Sequence, residues 1–191
     1  ICPKKNEVIE VKLDLEEDNS NIIPTKMQLD IMYEDDSFLI INKQPGIAVH
    51  PSILHYSDSL SNGVRFYFDK IGLKKKIRPV NRLDIDTSGI VIFAKNEYVQ
   101  ECLIQQMKDK TFKKEYICIV NGKLAEKKGT INVPIARKEK SIIERCVSEK
   151  GQEAITHYVV LNEGNGYSVV RCEIETGRTH QIRVHMAYIG H

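Results

Sequence analysis

No apolar run in this 191-residue chain approaches the roughly 18 residues that a membrane-spanning helix needs, so a helical membrane protein is excluded as the expectation. The first residues, ICPKKNEVIEVKLDLEEDN, lack the uninterrupted apolar region of a secretory signal. Internal repeats and low-complexity tracts are missing too. Cysteine is scarce and scattered: Cys2, Cys102, Cys118, Cys146 and Cys172 contain no C-x-x-C pair and are odd in number. That pattern argues against a zinc knuckle or a disulfide framework and for reduced thiols. Neither a glycine-rich nucleotide fingerprint nor a metal-ligand motif occurs. What remains is an ordinary globular chain, 41% hydrophobic and 28% charged, expected to be soluble, cytoplasmic and monomeric.

The net charge of +2 conceals an asymmetry. Residues 1–36 hold 4 Lys or Arg against 10 Asp or Glu, whereas residues 37–191 hold 24 against 16, giving −6 and +8. A basic body suits a polyanion such as RNA when its cations cluster. Lys74, Lys75, Lys76, Arg78 and Arg82 do so in KKKIRPVNR, and Lys108, Lys110, Lys113 and Lys114 in KDKTFKK. Two solvated charged faces explain the same composition equally well.

Along the chain, NEVIEVKLDLEE alternates like a strand, and EDNSNIIPTK reads as a linker with a boundary near residue 26. SFLIINK and GIVIFAKN read as buried strands, and GIAVHPS as an extended turn region. DSLSNGVRFYFDKIG predicts a helix with Asp58 or Ser59 as N-cap and Gly72 as its stop. NEYVQECLIQQMKDK predicts a second helix behind an Asn96 cap. Strands then dominate in TFKKEYICIVNG, GTINVPIAR, SIIERCV, EAITHYVVLN and YSVVRCEIET. A final helix in TGRTHQIRVHMAYIGH puts Ile182, Met186 and Ile189 on one face. The order predicts an α+β fold with a mixed, mainly antiparallel sheet and flanking helices, not βαβ winding.

Chemistry concentrates in three stretches. In NRLDIDTSG, Asp84 and Asp86 lie two apart ahead of a Thr-Ser-Gly turn, so their side chains point to different sides and turn capping competes with catalysis for each. In GRTHQIRVH, Arg178, His180, Arg183 and His185 gather at a helix start, where amide donors and the dipole favour a carboxylate or phosphate. Zinc is disfavoured there, because an i,i+5 spacing does not bring His180 and His185 together and further ligands are wanting. In KKEYICIVNG, alternation sends Tyr116, Cys118 and Val120 to one strand face and Ile117 and Ile119 to the other, which makes Tyr116 a half-buried aromatic and Cys118 a packed thiol. His50 and His55 read as loop residues.

Taken together, RPVNRLDIDTSGIVIFAKN, KKEYICIVNG and GRTHQIRVHMAYIGH, in that order and at those separations, resemble the signature regions of the RluA-like RNA pseudouridine synthases; INKQPGIAVHPS fits the family's opening strand and loop. The resemblance covers roughly residues 27–191. It implies a catalytic domain with a basic active-site cleft that isomerises uridine in RNA. Asp84 matches the essential aspartate, Arg82 the arginine that enters the helical stack as the target base leaves, Tyr116 the tyrosine packed on the target ring, and Arg183 the arginine that pairs with the aspartate. An aspartate deprived of water needs such a cation, and a flipped uracil needs an aromatic face. The reaction implied involves no redox change or energy input, so no cofactor and no metal is expected.

Asn81 departs from the family's usual His. The family also continues past IGH with a Pro, a Gly-Asp and further strands, so residues 27–191 are expected to be a shortened catalytic domain. Residues 1–26 resemble the last strand and linker of a small RNA-binding domain, which favours ribosomal RNA over transfer RNA as the partner. Two other classes compete. An inactive RNA-binding module would use the same cations. A glycosidase-like hydrolase would use the Asp84 and Asp86 pair, although two carboxylates in one tight loop cannot flank a sugar.

Overall fold

The structure is a computed structural model and describes residues 4–9 and 16–191. The strand expected over NEVIEVKLDLEE lies, for residues 10–15, outside the described residues, as does Cys2. Backbone contacts divide the chain into two compact units, Ile1–Cys102 and Leu103–His191.

The first unit is built on strands β1 (Ile31–Glu34) and β2 (Phe38–Lys43), helix α1 (Leu60–Lys70), and strands β3 (Arg78–Pro79) and β4 (Gly89–Ala94). The sheet runs β1-β2-β4-β3 and every pairing is antiparallel. Asp35 makes the first turn, its Oδ1 accepting from the Ser37 and Phe38 amides at 2.8 and 2.7 Å. Strand β2 alternates strictly: Leu39, Ile41 and Lys43 are buried, Leu39 and Ile41 pair with Phe93 and Val91 of β4, and Val64 and Phe68 of α1 are buried in the same unit. Ser59 caps α1 as expected, its amide donating to Asn62 Oδ1 at 3.0 Å, while Gly72, at φ +73°, lies just past its end. Residues 23–27 run across this helix. Asn62 Nδ2 donates to the Ile23 carbonyl (2.8 Å), and Gly63 admits Met27 so closely that a Cβ there would stand 2.3 Å from Met27 Cγ.

The division between the units falls within helix α2 (Glu97–Lys108), whose start is capped by Asn96 as expected, with Oδ1 accepting from the Val99 amide at 2.9 Å.

In the second unit, strands β5 (Glu115–Asn121), β6 (Lys128–Asn132), β9 (Ile155–Glu163) and β10 (Tyr167–Ile174) form an antiparallel sheet in the order β5-β10-β9-β6. Strands β7 (Ile135–Arg137) and β8 (Arg145–Val147) form a separate hairpin, and helix α3 (Gln181–Tyr188) follows. Met186, Ile182 and Ile189 of α3 pack on Val120, Val170 and Cys172, which is the face the sequence pattern assigned. The α+β, mainly antiparallel expectation holds; among the described residues pairing is antiparallel throughout and spread over three sheets.

Two strand boundaries differ from expectation. GTINVPIAR is two strands, because Pro134 offers no amide to the ladder and the chain changes sheets there. SIIERCV shortens to Arg145–Val147: Ile142 and Ile143, 84% and 68% exposed, sit in the β7–β8 connection, where Lys140 turns the chain at φ +61°.

Candidate active site

The loop joining β3 to β4 is built to hold one turn in place. Strand β3 pairs Arg78 with Ala94 and Pro79 with Phe93, and the Val80 amide continues the ladder onto Ile92 O at 2.8 Å. Asn81 then uses its side chain where a strand would use its backbone. Its Nδ2 donates to Ile90 O (2.8 Å), and its Oδ1 accepts from the Ile92 amide (2.9 Å). Leu83 is buried, and Gly89, at φ +128°, takes the sharp backbone that starts β4. Between them, residues 84–87 close a turn in which the Asp84 carbonyl accepts from the Thr87 amide at 3.0 Å.

The turn is pinned from below as well. Ile85 O, between the two aspartates, accepts from the Gly46 amide and from Lys43 Nζ, both at 2.9 Å. Asp84 is half-buried and Asp86 exposed, so the two carboxylates do differ in surroundings as the spacing suggested. Arg82 is exposed. His50 lies near enough for Arg82 to act on it: crowding of the ring first, and then the guanidinium, hold its pKa below the usual imidazole value.

Lys43 is the residue sequence reasoning missed. It is 1% exposed, and burial lowers its pKa while the fields of Asp86 and Asp84 raise it. Its only sequence signal was a lysine at an inward position of an otherwise apolar alternation.

Tyr116 and Arg183 belong to the second unit, Arg82 and Asp84 to the first. Tyr116 is half-buried on β5, opposite Cys172 of β10, and packs with Cys118 against the core that contains Val120 and Val170. The Cys118 and Cys172 sulfurs are 3.7 Å apart. Arg183 is exposed on α3 and lines a groove with Arg145, His180, Val184 and Tyr188, where Lys138 pairs with Glu144 at 2.7 Å.

Of the other residues of GRTHQIRVH, His180 shares the groove with Arg183, whereas Gln181, His185 and Arg178 are engaged within the second unit. Gln181 is buried; its Oε1 accepts from Thr176 Oγ1 (2.8 Å) and the Arg178 amide (3.0 Å), and its Nε2 donates to Ile155 O (2.9 Å) and Thr156 Oγ1 (3.0 Å). His185 is fully buried, 3.1 Å from Val133 O through Nε2 and 2.9 Å from Thr156 Oγ1 through Nδ1. A carbonyl only accepts, so Nε2 carries the proton and the Thr156 hydroxyl donates to Nδ1. Arg178 is spent on Glu153 O and Gln152 Oε1 at 2.9 and 3.0 Å.

The basic clusters divide similarly. Arg78 is buried between Glu17 and Glu97, Lys74 pairs with Glu16, and Lys110 and Lys113 pair with Glu175 and Glu173. Lys76 stays exposed. Among the described residues no group of His, Cys, Asp or Glu is arranged to hold a metal ion, and no helix is long and apolar enough to cross a membrane.

The chain thus carries an anchored Arg-Leu-Asp turn on the antiparallel sheet of its first unit, and Tyr116 and Arg183 on a strand and a helix of its second. The family model described as RNA pseudouridylate synthase matches residues 37–188, and the chain belongs to that family. It is 46% identical over 184 residues to YhcT, an uncharacterized RNA pseudouridine synthase of Bacillus subtilis strain 168, covering 95% of this chain and 61% of that protein. Ribosomal large subunit pseudouridine synthase D of Blochmanniella floridana is 39% identical over 189 residues, or 97% of this chain and 59% of that one. Human RNA Pseudouridylate Synthase Domain Containing 1 superposes with a TM-score of 0.70 at 27% identity, over 86% of this chain and 66% of that structure. The chain spans 66%, 61% and 57% of the length of three Bacillus subtilis relatives.

Proposed function

We propose that the protein carrying this chain isomerises uridines in structured RNA, large-subunit ribosomal RNA above all, to pseudouridine, and that Asp84 is the essential carboxylate. The observation that carries this is the anchored turn: Asp84 is half-buried at a turn fixed by Asn81 from one side and by Lys43 and Gly46 from the other, two residues after an exposed Arg82. Family membership supports the reaction, and the name of the Blochmanniella floridana relative supports the choice of RNA.

In the proposed reaction the bond from ribose to the ring nitrogen breaks, the uracil turns while held, and the ribose rejoins it through a ring carbon. Atoms and electrons balance within the one nucleotide. The ionised Asp84 oxygen serves this either as nucleophile at the anomeric carbon or as base toward the neighbouring ribose proton. Arg82 fills the gap left by the flipped base, Tyr116 packs on the ring, and Arg183 is the cation that keeps Asp84 ionised.

Asp84→Asn tests the assignment. RNA affinity comes mainly from Lys and Arg contacts to phosphate, so binding should stay within about threefold while pseudouridine formation falls on the order of a thousandfold or more. Asp86→Asn should keep most activity. Near-normal product from Asp84→Asn, measured by nucleoside analysis of RNA whose binding is followed on filters, would overturn the proposal. RNA binding by the wild-type protein without any pseudouridine would mean an RNA-binding module instead.

A further inference from the structure

The cations ahead of β5 are not all balanced. Lys110 and Lys113 have carboxylate partners, Glu175 at 2.6 Å and Glu173 at 3.5 Å, and Glu175 also serves His157 at 2.8 Å. Lys114 is different: it is half-buried, and its ammonium makes no ion pair or hydrogen bond among the described residues. Its charged neighbour is another cation. Burial lowers the Lys114 pKa first, and the field of Arg178 lowers it further. Arg178 is fixed by neutral acceptors, Nε donating to Glu153 O at 2.9 Å and Nη1 to Gln152 Oε1 at 3.0 Å, and no carboxylate pairs with it among the described residues. Its Nη2 is left over. The two cations meet beside Gly177, where a Cβ would stand 3.7 Å from Lys114 Nζ. Like charges held together in this way cost the free protein stability, and an anion between them would reverse that.

The place of Lys114 says which anion. Its carbonyl accepts from the Ile174 amide at 3.1 Å, which extends the β5–β10 ladder one residue beyond Glu115. Alternation then sends the Lys114 side chain to the face of Tyr116, roughly 7 Å along the strand, and the buried Ile174 opposite marks that face as the inner one. That separation is on the scale of one nucleotide, from base to backbone. We propose that Lys114 and Arg178 form a subsite for a backbone phosphate of RNA, beside the nucleotide whose ring packs on Tyr116. The inference rests on the RNA reading given above. An ammonium and the open edge of a guanidinium are donors suited to phosphate oxygens, and one phosphate between them offsets both charges.

Lys114→Gln in the full-length protein separates this subsite from a structural lysine. Removing a half-buried, unpaired cation from beside another should leave the melting temperature of the free protein unchanged or raise it, whereas losing a structural contact would lower it. Binding would be measured on a large-subunit ribosomal RNA transcript across a range of salt concentrations. Affinity should fall about three- to tenfold near physiological salt, and the slope of log K against log salt should become shallower by about 0.7–0.9, the share of one phosphate. Lys114→Arg should stay within about twofold of wild type. Lys113→Gln, one residue away and paired with Glu173, should leave the slope unmoved. On transcripts ethylated at single phosphates, one position that weakens wild-type binding should have no effect on Lys114→Gln. An unchanged slope in Lys114→Gln, an equal loss in Lys113→Gln, a clearly lowered melting temperature, or the same ethylation pattern in both proteins would each overturn the proposal. None of these readouts needs turnover, so they stand apart from the reaction, whose failure would show as RNA binding without pseudouridine.

Discussion

The interaction most open to a quantitative test is the one between Glu17 and Arg78, which joins the acidic beginning of the chain to its first basic cluster. Arg78 opens β3, and its side chain is 7% exposed; that of Glu17 is 12% exposed. The guanidinium grips both Glu17 oxygens, NH1 to Oε2 at 2.7 Å and NH2 to Oε1, and Glu97 adds a contact at 3.2 Å from a side chain that is 76% exposed. The backbone reinforces the attachment: the Glu17 amide donates to Lys74 O at 3.0 Å, and Asn19 bridges Lys75 O and the Ile77 amide at 2.7 and 2.9 Å.

The Arg78 hydrogen bonds lower the Glu17 carboxyl from 4.5 to about 2. At about 1.4 kcal/mol per tenfold change, that is on the order of 3 kcal/mol of folding free energy. Removing one partner of a buried pair costs about 3–5 kcal/mol by comparison with other proteins, because the other charge is stranded. The exposed Glu97 returns little of it. Glu17→Gln should therefore lose about 2–3 kcal/mol in urea denaturation at pH 7. Because the folded carboxyl is depressed, this stability is complete above the unfolded value of 4.5 and disappears as pH falls toward 2. The gap between wild type and variant should close over that interval. A loss under about 0.5 kcal/mol at pH 7, or a gap that widens in acid, would refute the assignment of the pair as a stabilising clamp.

His185 and the cysteines give two more tests. Burial holds the His185 ring below its usual pKa, so its stability contribution is intact above about 6.5 and is lost as pH falls below it. His185→Leu strands the Thr156 hydroxyl and the Val133 carbonyl and should cost about 1–3 kcal/mol at pH 7.5, with a smaller deficit at pH 5.5, both read from denaturation curves. The buried Cys172 thiol, pushed up by its contact with Cys118 and by burial, should resist iodoacetamide at pH 8 while half-exposed Cys102 and Cys146 are alkylated; peptide masses would show it, and equal labelling of all three would contradict the packing.

How much of this was legible depended on whether a residue's role followed from its own neighbourhood in the chain. Caps and faces did: Ser59, Asn96 and the Ile182, Met186, Ile189 stripe stand where local rules put them. The inward alternation of Tyr116, Cys118 and Val120 did too, leaving Ile117 and Ile119 exposed on the other face. Long-range polar pairing did not. Charge counting separated an acidic lead-in from a basic body, whereas the fold sets Glu17 against Arg78 across sixty-one positions of sequence. Gln181 and His185 sat among cations in an apparent anion site, yet both are bound to Thr156, on a strand no local pattern links to α3. Pro134 was a visible signal of a strand break, overridden by the apolar run on either side of it.

The same distinction bears on why Asp84 and Asp86 differ although sequence spacing treats them alike. A turn assigns its residues unequal places: the first keeps its backbone in the flanking loop, while the third stands at the outer corner. Asp84 is the first residue of the 84–87 turn, follows the buried Leu83, and has its own carbonyl engaged by Thr87. Asp86 is the third and faces solvent. What fixes that order is the carbonyl between them, because Ile85 O is held by the Gly46 amide and Lys43 Nζ, neither of which sits on the turn. Sliding the turn by two residues would present a different carbonyl to these donors and put Asp86 in the place of Asp84. The half-buried place of Asp84 thus goes with a turn whose central carbonyl is held by Gly46 and Lys43, thirty-nine and forty-two positions before Ile85, which the aspartates' own sequence context does not contain.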